Sequence, residues 1–581
     1  MDPFTVEVIK EGLQATAQEM FIALGQSSQS PIIYEVLDYA TGLTDAEGRL
    51  VAQGQGVPGF IGCLDFAVRE ALAKFGDRLH EGDIVAINDP FLGGGTHLSD
   101  VTLLMPVFVA GRRVAFVASK AHWTEVGGMH PGSWSPDATE VYQEGLQLPC
   151  VKVVERGRLN HALLDVIAAN VRLPEQTLGD FWAQVAALKV GARRVVDLCQ
   201  RYGVDGVLEA MDALQEQGYE ITRRALARIP EGVYEAEDFI DGDERAGAER
   251  LPVRVKVTVR DGRMICDFTG SSPQVPGPLN CTRSVLISSV RAAFKAVTDP
   301  AFPACDGCFR PLEIVCPDGT IFTARRPAAT STYFEVDQMA CDLVCKALAE
   351  VVPHRLTAGH YLSVCGTILA GRTPEGEDWL LVEPQVGGWG AAADRDGTGA
   401  LFNIGDGETY ILPVEVAETR YPVRIERFAL NTEPGGDGRY RGGFGCIREY
   451  RVLAPTHLTA SFGRHRTPPW GVAGGRPGTP NRIRIFGADG RLRWEGGRVA
   501  RHPLAPGDRV QLITGVGGGW GPPEARHPED AARDHRLGYV REEVPGPVTP
   551  PASQPQPRNG PAAAGESRGE RPGGGNGADR H

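Results

Sequence analysis

Two histidines and an aspartate beside a run of glycines are the residues of this chain best suited to chemistry. The stretch Asn88-Asp89-Pro90-Phe91-Leu92-Gly93-Gly94-Gly95-Thr96-His97-Leu98-Ser99-Asp100 supplies His97 and Asp100, and His122 follows 22 residues later. Two imidazoles and a carboxylate suit a divalent metal with positions left open for water or substrate. The residues between them read as two strands, 101–107 and 114–119, around the turn Ala110-Gly111-Arg112-Arg113. A hairpin of that kind returns His122 to the start of its first strand, beside His97 and Asp100. Against this, 13 histidines in 581 residues also produce chance groupings with aspartate. The glycines at 93–95 and 127–128 permit close backbone approach, or serve turns that bind nothing.

The elements around this stretch follow from local patterns. Asp2 as N-cap, Pro3 at the first helical position and apolar Val6, Ile9, Leu13 and Met20 predict a helix over 3–25. Residues 39–53 read as two short strands around a turn, and 64–76 as a second helix. From Pro174 to about Arg228 the pattern is almost all helical. From Gly232 the period changes to two, and Val253-Arg254-Val255-Lys256-Val257-Thr258-Val259 alternates as a strand with one wet face. A helix near 335–350 then leads into strand-rich sequence up to about 515. The architecture expected is α+β. It comprises a mixed metal-site domain over 1–173, a helical block over 174–230, a middle α+β domain over 231–380, a β-rich domain over 381–543, and a Pro/Gly-rich tail over 544–581 too poor in apolar residues to order itself.

Composition narrows the function classes. The chain is 42% hydrophobic, enough for several domains' cores, and carries 60 basic against 73 acidic residues for a formal charge of −13. Without a Lys/Arg cluster, nucleic acid is not an expected partner. No apolar run reaches the roughly 20 residues that span a bilayer, and the start is not a secretory signal, so a cytoplasmic protein is expected. Of the 12 cysteines, Cys305 and Cys308 form a C-x-x-C, and Cys341 and Cys345 share a helical face. These four could make a thiolate zinc site, although the second pair's spacing is unusual. The other eight read as buried free thiols.

Several separated signatures make the chain recognisable from near its first residue to about Glu543. They are Asp2-Pro3-Phe4-Thr5-Val6-Glu7, Asp45-Ala46-Glu47-Gly48-Arg49-Leu50, the glycine-rich run above, Ala138-Thr139-Glu140-Val141-Tyr142-Gln143-Glu144-Gly145, Asp267-Phe268-Thr269-Gly270, Gly387-Gly388-Trp389-Gly390 and Gly517-Gly518-Gly519-Trp520-Gly521. In that order they resemble the hydantoinase B/oxoprolinase family. The resemblance implies one subunit of an ATP-dependent complex that opens a hydantoin, 5-oxoproline or lactam ring. Its hydantoinase A-like partner binds ATP and phosphorylates the substrate's carbonyl oxygen. Consistent with this, the chain has no G-x-x-x-x-G-K-[ST] phosphate loop of its own.

By the same resemblance His97, Asp100 and His122 hold a divalent metal (zinc, manganese or iron), and Asp38 is a candidate fourth ligand, or else a turn residue. Glu125 and Glu140 are candidate proton carriers, or else structural hydrogen-bonding groups, and His130 is placed outside the ligand set. Departures such as Gly59 after Val57-Pro58, where many relatives carry histidine near the proline, bear on the substrate. Two alternatives stay open: a subunit of a ketone carboxylase of the acetone or acetophenone type, and a non-catalytic scaffold.

Overall fold

Strands Asp100–Val109 and Arg112–His122 pair antiparallel across Ala110 and Gly111, both at positive φ (49° and 80°), a turn whose twist matches that of the strands it joins. The register places Asp100 directly opposite His122. In this computed structural model, which describes residues 2–242, 245–373, 375–407 and 409–540, the hairpin is the centre of a seven-stranded antiparallel sheet. Its order is Leu50–Gly56, Tyr39–Asp45, Arg112–His122, Asp100–Val109, Ile84–Ile87, Val151–Glu155 and Arg158–Leu159. The tail expected over 544–581 lies outside the described residues.

Helices cover both faces of this sheet, which is why its central strands are almost continuously apolar. Leu103 and Val117 pack with Leu13, Met20 and Phe181 from helices Pro3–Ser27 and Pro174–Tyr202. Leu104, Phe116 and Ala118, pointing the other way, pack with Leu64, Ala67 and Val68 of helix Pro58–Phe75. The first helix is capped as its sequence predicts, with the Asp2 carboxylate accepting from Thr5 N at 3.1 Å.

Helix Pro58–Phe75 begins six residues earlier than its pattern suggested. Gly62 within it serves a contact: a Cβ there would lie 2.1 Å from Ser288 Oγ, on helix Arg283–Val297. Close crossing of the two helices outweighs the low helix propensity of glycine there. Arg291 of the second helix reaches Asp65 of the first at 3.1 and 3.2 Å in the same interface.

The rest of the chain completes a mixed α+β fold. Helices Pro174–Tyr202 and Val204–Leu226 run through the stretch expected to be helical. Strand Arg250–Arg260 alternates buried and exposed residues as predicted, and pairs with Gly232–Asp241 and Arg263–Asp267. Helix Phe334–Leu348 packs on that sheet and against helix Arg283–Val297. A four-stranded and a five-stranded sheet follow, built from strands between Gly366 and Ile513. No helix among the described residues is long and apolar enough to cross a membrane.

The cysteines are free and buried. Cys305 and Cys308 lie 3.6 Å apart against helix Val204–Leu226, where Cys305 Sγ approaches Leu214 O at 3.7 Å. Cys341 and Cys345 sit in helix Phe334–Leu348 and do not join them. Among the described residues the group able to hold a metal is His97, Asp100 and His122, so the four-thiolate site does not form.

One glycine of the run before His97 is fixed sterically. Gly94 has φ +75°, and a Cβ there would fall 2.7 Å from the Ala67 backbone nitrogen, whereas Gly111 at φ +80° faces open space. Gly111→Ala is expected to cost about 1 kcal/mol for its left-handed backbone. Gly94→Ala should cost at least about twice that, because the helix must also give way. Thermal melts of the two variants compare them, and equal losses would contradict this packing.

Candidate metal centre

The centre assembles where the hairpin's open end meets the start of helix Phe334–Leu348. His97 Nε2 lies 3.0 Å from Asp100 Oδ1 and 3.2 Å from His122 Nδ1, and His122 Nδ1 lies 2.9 Å from Asp100 Oδ1. Three donor atoms on one ion, with bonds of 2.0–2.1 Å, stand about 3.0 Å apart in octahedral and about 3.3 Å apart in tetrahedral geometry. The observed triangle fits such an ion. All three side chains are buried, and they line a cavity of about 30 Å³ together with Asp38, Trp134, Tyr333, Asp337 and Asp406.

His97 and Asp100 are aimed by contacts on their far sides, whereas His122 Nε2 is buried without a hydrogen-bond partner and His122 is held through its backbone. His97 Nδ1 donates to Ser331 O at 3.1 Å; a carbonyl only accepts, so the proton sits on Nδ1 and Nε2 keeps its lone pair for the centre. Asp100 Oδ2 accepts from Thr96 Oγ1 at 2.5 Å and from Tyr333 Oη at 3.1 Å, which leaves Oδ1 for the centre. His122 N donates to Asp38 O at 3.1 Å, and Trp123 N donates to Ser99 O at 2.8 Å, so the strand end cannot swing. Upstream, the Asn88 amide bonds Leu98 O at 2.7 Å and Leu146 O at 2.9 Å, folding the glycine-rich loop over the sheet.

The electrostatics separate the acids into two kinds. Burial alone would raise the Asp100 carboxyl, but the imidazoles of His97 and His122 hold it well below the ordinary carboxylate range. Asp38 is pushed up to about 7 by burial, with His122 opposing the shift and Asp100 and Asp406 adding to it. Asp406 is likewise raised to about 7 by burial, despite the Asn403 hydrogen bond that opposes it. One ionised and several proton-retaining carboxyl groups thus share one small cavity.

Of the six residues predicted for the site, the structure brings His97, Asp100, His122 and Asp38 together; Asp38 Oδ2 stands 4.0 Å from His122 Nδ1. Glu125 lies outside the cavity. Its carboxylate accepts from Gly127 N at 2.5 Å, Gly132 N at 2.8 Å and Arg172 Nη1 at 2.9 Å, and so shapes the loop that presents Trp134. The Trp134 ring sits 5.9 Å from His122 and 6.4 Å from His97, shielding them from water. Glu140 is exposed and caps the short Val141–Gln143 helical turn. His130 Nε2 binds Asp137 at 2.6 Å, away from the cavity. Neither Glu125 nor Glu140 lines the cavity.

Sequence reasoning missed Glu144, Tyr333, Asp337 and Asp406. Glu144 is buried and accepts from Thr330 N at 2.6 Å and Ser331 N at 2.7 Å, fixing the carbonyl that orients His97. Its place in the Tyr142-Gln143-Glu144-Gly145 signature was the available signal. Burial pushes Glu144 up to about 8. Since the folded state binds that proton more tightly than the unfolded chain, this group subtracts stability as pH rises from its ordinary value of 4.5 towards 8. Glu144→Gln, which keeps an acceptor, is expected to flatten that fall relative to the parent. Glu144→Ala orphans two N–H groups and should cost about 3 kcal/mol. Denaturant titrations from pH 5 to 8 check both, and a Gln variant with the parent's pH slope would contradict the assignment.

The sequence matches the family model for hydantoinase B/oxoprolinase over residues 2–523. It is 31% identical over 571 residues to the B-type subunit of a putative D-/L-hydantoinase from Pseudomonas sp. strain NS671, covering 94% of each chain. Against the beta subunit of caprolactamase from Pseudomonas jessenii it is 31% identical over 566 residues, covering 93% of this chain and 94% of that one. The crystal structure of the ATP-dependent caprolactamase from Pseudomonas jessenii aligns with a TM-score of 0.86 at 29% identity, over 93% of this chain and 95% of that one. Nucleotide-free acetone carboxylase also gives 0.86, but at 19% identity over 93% and 78% of the two chains, a likeness of fold alone. A match that runs through almost every described element places this chain in the hydantoinase B/oxoprolinase family.

Proposed function

We propose that this chain is the metal-bearing component of an ATP-dependent hydrolase that opens a cyclic amide: a hydantoin, 5-oxoproline or a lactam. A hydantoinase A-like partner takes up the ATP and phosphorylates the substrate's carbonyl oxygen. The observation that carries this reading is the convergence of His97 Nε2, Asp100 Oδ1 and His122 Nδ1 within 3.2 Å of one another, with the far sides of His97 and Asp100 already bonded. The relatives named for a hydantoinase and a caprolactamase supply the substrate class.

The chemistry follows from the substrate. A cyclic amide is a poor electrophile, and phosphorylating its oxygen turns that oxygen into part of a leaving group. When bound, a divalent ion (zinc, manganese or iron) supplies Lewis acidity that brings a water's pKa towards neutrality and steadies developing negative charge. His97, Asp100 and His122 would hold that ion, with Asp38 Oδ2 standing 4.0 Å from His122 Nδ1 beside them. Trp134 and Phe334 wall the cavity from bulk water.

The cavity, at about 30 Å³, takes one or two non-hydrogen atoms rather than a whole ring. A larger cleft of about 430 Å³ includes Gly56, Pro58, Ile404 and Gly407, chain neighbours of cavity residues. The segments between cleft and cavity meet where Gly59 N donates to Gly405 O at 3.3 Å.

Purified with its companion ATPase, the chain is expected to carry about one divalent ion, lost in His97→Ala, and to open at least one of hydantoin, 5-oxoproline and caprolactam with ATP. Removing residues that merely orient metal ligands costs about 10–100-fold, so Asp100→Ala should fall to at most about a hundredth of the parent rate while still binding the partner. Parent-like turnover by Asp100→Ala would sink the proposal.

A further inference from the structure

One buried acid in the cavity has no task in the scheme above. Asp337 stands in the first turns of helix Phe334–Leu348, only 4% exposed, and lines the same cavity as the three metal-type residues. Its Oδ2 accepts from Ser289 Oγ at 3.0 Å, a hydroxyl fixed on helix Arg283–Val297. Its Oδ1 is buried without a hydrogen-bond partner. The neighbouring acids are engaged otherwise: Asp406 with Asn403 at 2.6 Å, and Asp38 facing His122. Gly59 packs beside this carboxyl group, a Cβ there lying 4.0 Å from Asp337 Oδ2.

A bare carboxylate oxygen in such surroundings is costly unless it carries a proton or meets a donor. Resting on the reading of this chain as a cyclic-amide hydrolase, we propose that Asp337 is the general acid that protonates the ring nitrogen as the C–N bond breaks. Burial, opposed by the Ser289 hydrogen bond, pushes the group up to about 8, so it is protonated at neutral pH.

The reaction needs such a donor at one step. Water adding to the O-phosphorylated amide gives a tetrahedral carbon that bears a hydroxyl, the phosphoryl oxygen and the ring nitrogen. If the C–O bond to phosphate breaks, phosphate leaves with the electron pair, the hydroxyl loses its proton and the intact ring returns. ATP is then hydrolysed without ring opening. If the C–N bond breaks, the pair goes to nitrogen, a far poorer leaving group unless it receives a proton. Asp337 gives that proton, and the hydroxyl proton released as the carbonyl forms restores the acid. The product is one open chain with an acyl phosphate at one end and the freed nitrogen at the other (an amine from a lactam or 5-oxoproline, a ureido group from a hydantoin), and a second water cleaves the acyl phosphate to carboxylate and phosphate. Asp337 thereby decides which bond breaks.

The test uses the complex with its companion ATPase, ATP and a cyclic amide that the parent opens, in ¹⁸O-labelled water. Ring-opened product per ADP and the label in recovered cyclic amide are measured. General acids contribute about 10²–10⁴-fold, so Asp337→Asn should lower product per ADP at least about tenfold, with ¹⁸O entering the recovered ring. Asp337→Glu, which keeps the acid, should regain part of the coupling. A merely structural role would lower both rates together and leave their ratio unchanged, and that result overturns the assignment. Should Asp337→Asn fail to fold, Ser289→Ala carries the same expectation at about a two- to tenfold loss of coupling, and unchanged coupling there overturns it equally. A parent complex that opens no cyclic amide overturns the activity itself. A parent that opens one beside a fully coupled Asp337→Asn overturns the role of Asp337 alone.

Discussion

Asp100 and His122 face each other across an antiparallel strand pair, and a slip of one residue in that pair would turn one of them to the opposite face of the sheet. The register is held by more than the pair itself. Helices pack on both faces of these strands, so Leu103 and Leu104, Phe116 and Val117 each have a distinct buried partner surface. Slippage would exchange the two surfaces. The positions of Asp100 and His122 are therefore secured by apolar packing on both faces of the sheet.

Around that fixed pair the centre is built in layers. The inner layer is His97 Nε2, Asp100 Oδ1 and His122 Nδ1. The next is Ser331 O, Thr96 Oγ1 and Tyr333 Oη, which take the opposite sides of His97 and Asp100 and leave the inner atoms no other partner. Behind these stands Glu144, holding the backbone of Thr330 and Ser331. Residues 331 and 333 lead directly into helix Phe334–Leu348, so the element that orients His97 also carries Asp337. Orientation of the metal-type residues and delivery of a carboxyl group to the cavity thus share one support.

Much of this was legible in the sequence, for identifiable reasons. Strong local signals sufficed for the first helix, capped by Asp2 and Pro3, for the hairpin around Ala110 and Gly111, and for the alternating strand of Arg250–Arg260. The triad followed because the hairpin converts a 22-residue gap into a cross-strand neighbour. The start of the helix at Pro58 is hidden from local pattern because Gly62 answers a helix crossing, a tertiary constraint that no local pattern displays. Glu125 and Glu140, candidate proton carriers or else structural hydrogen-bonding groups, take hydrogen-bonding places: one braces a loop and the other caps a turn at the surface. Asp337 and Asp406 were missed because they lie more than 200 residues beyond the triad and meet it only through packing.

Anomalous diffraction from crystals of the purified chain, recorded at the zinc, manganese and iron edges, tests the metal centre most directly. The expected result is one peak within about 2.0–2.2 Å of His97 Nε2, Asp100 Oδ1 and His122 Nδ1 together. A folded, metal-replete protein whose peak lies elsewhere, or which shows none at these three atoms, would contradict the assignment of the chemistry to this cavity.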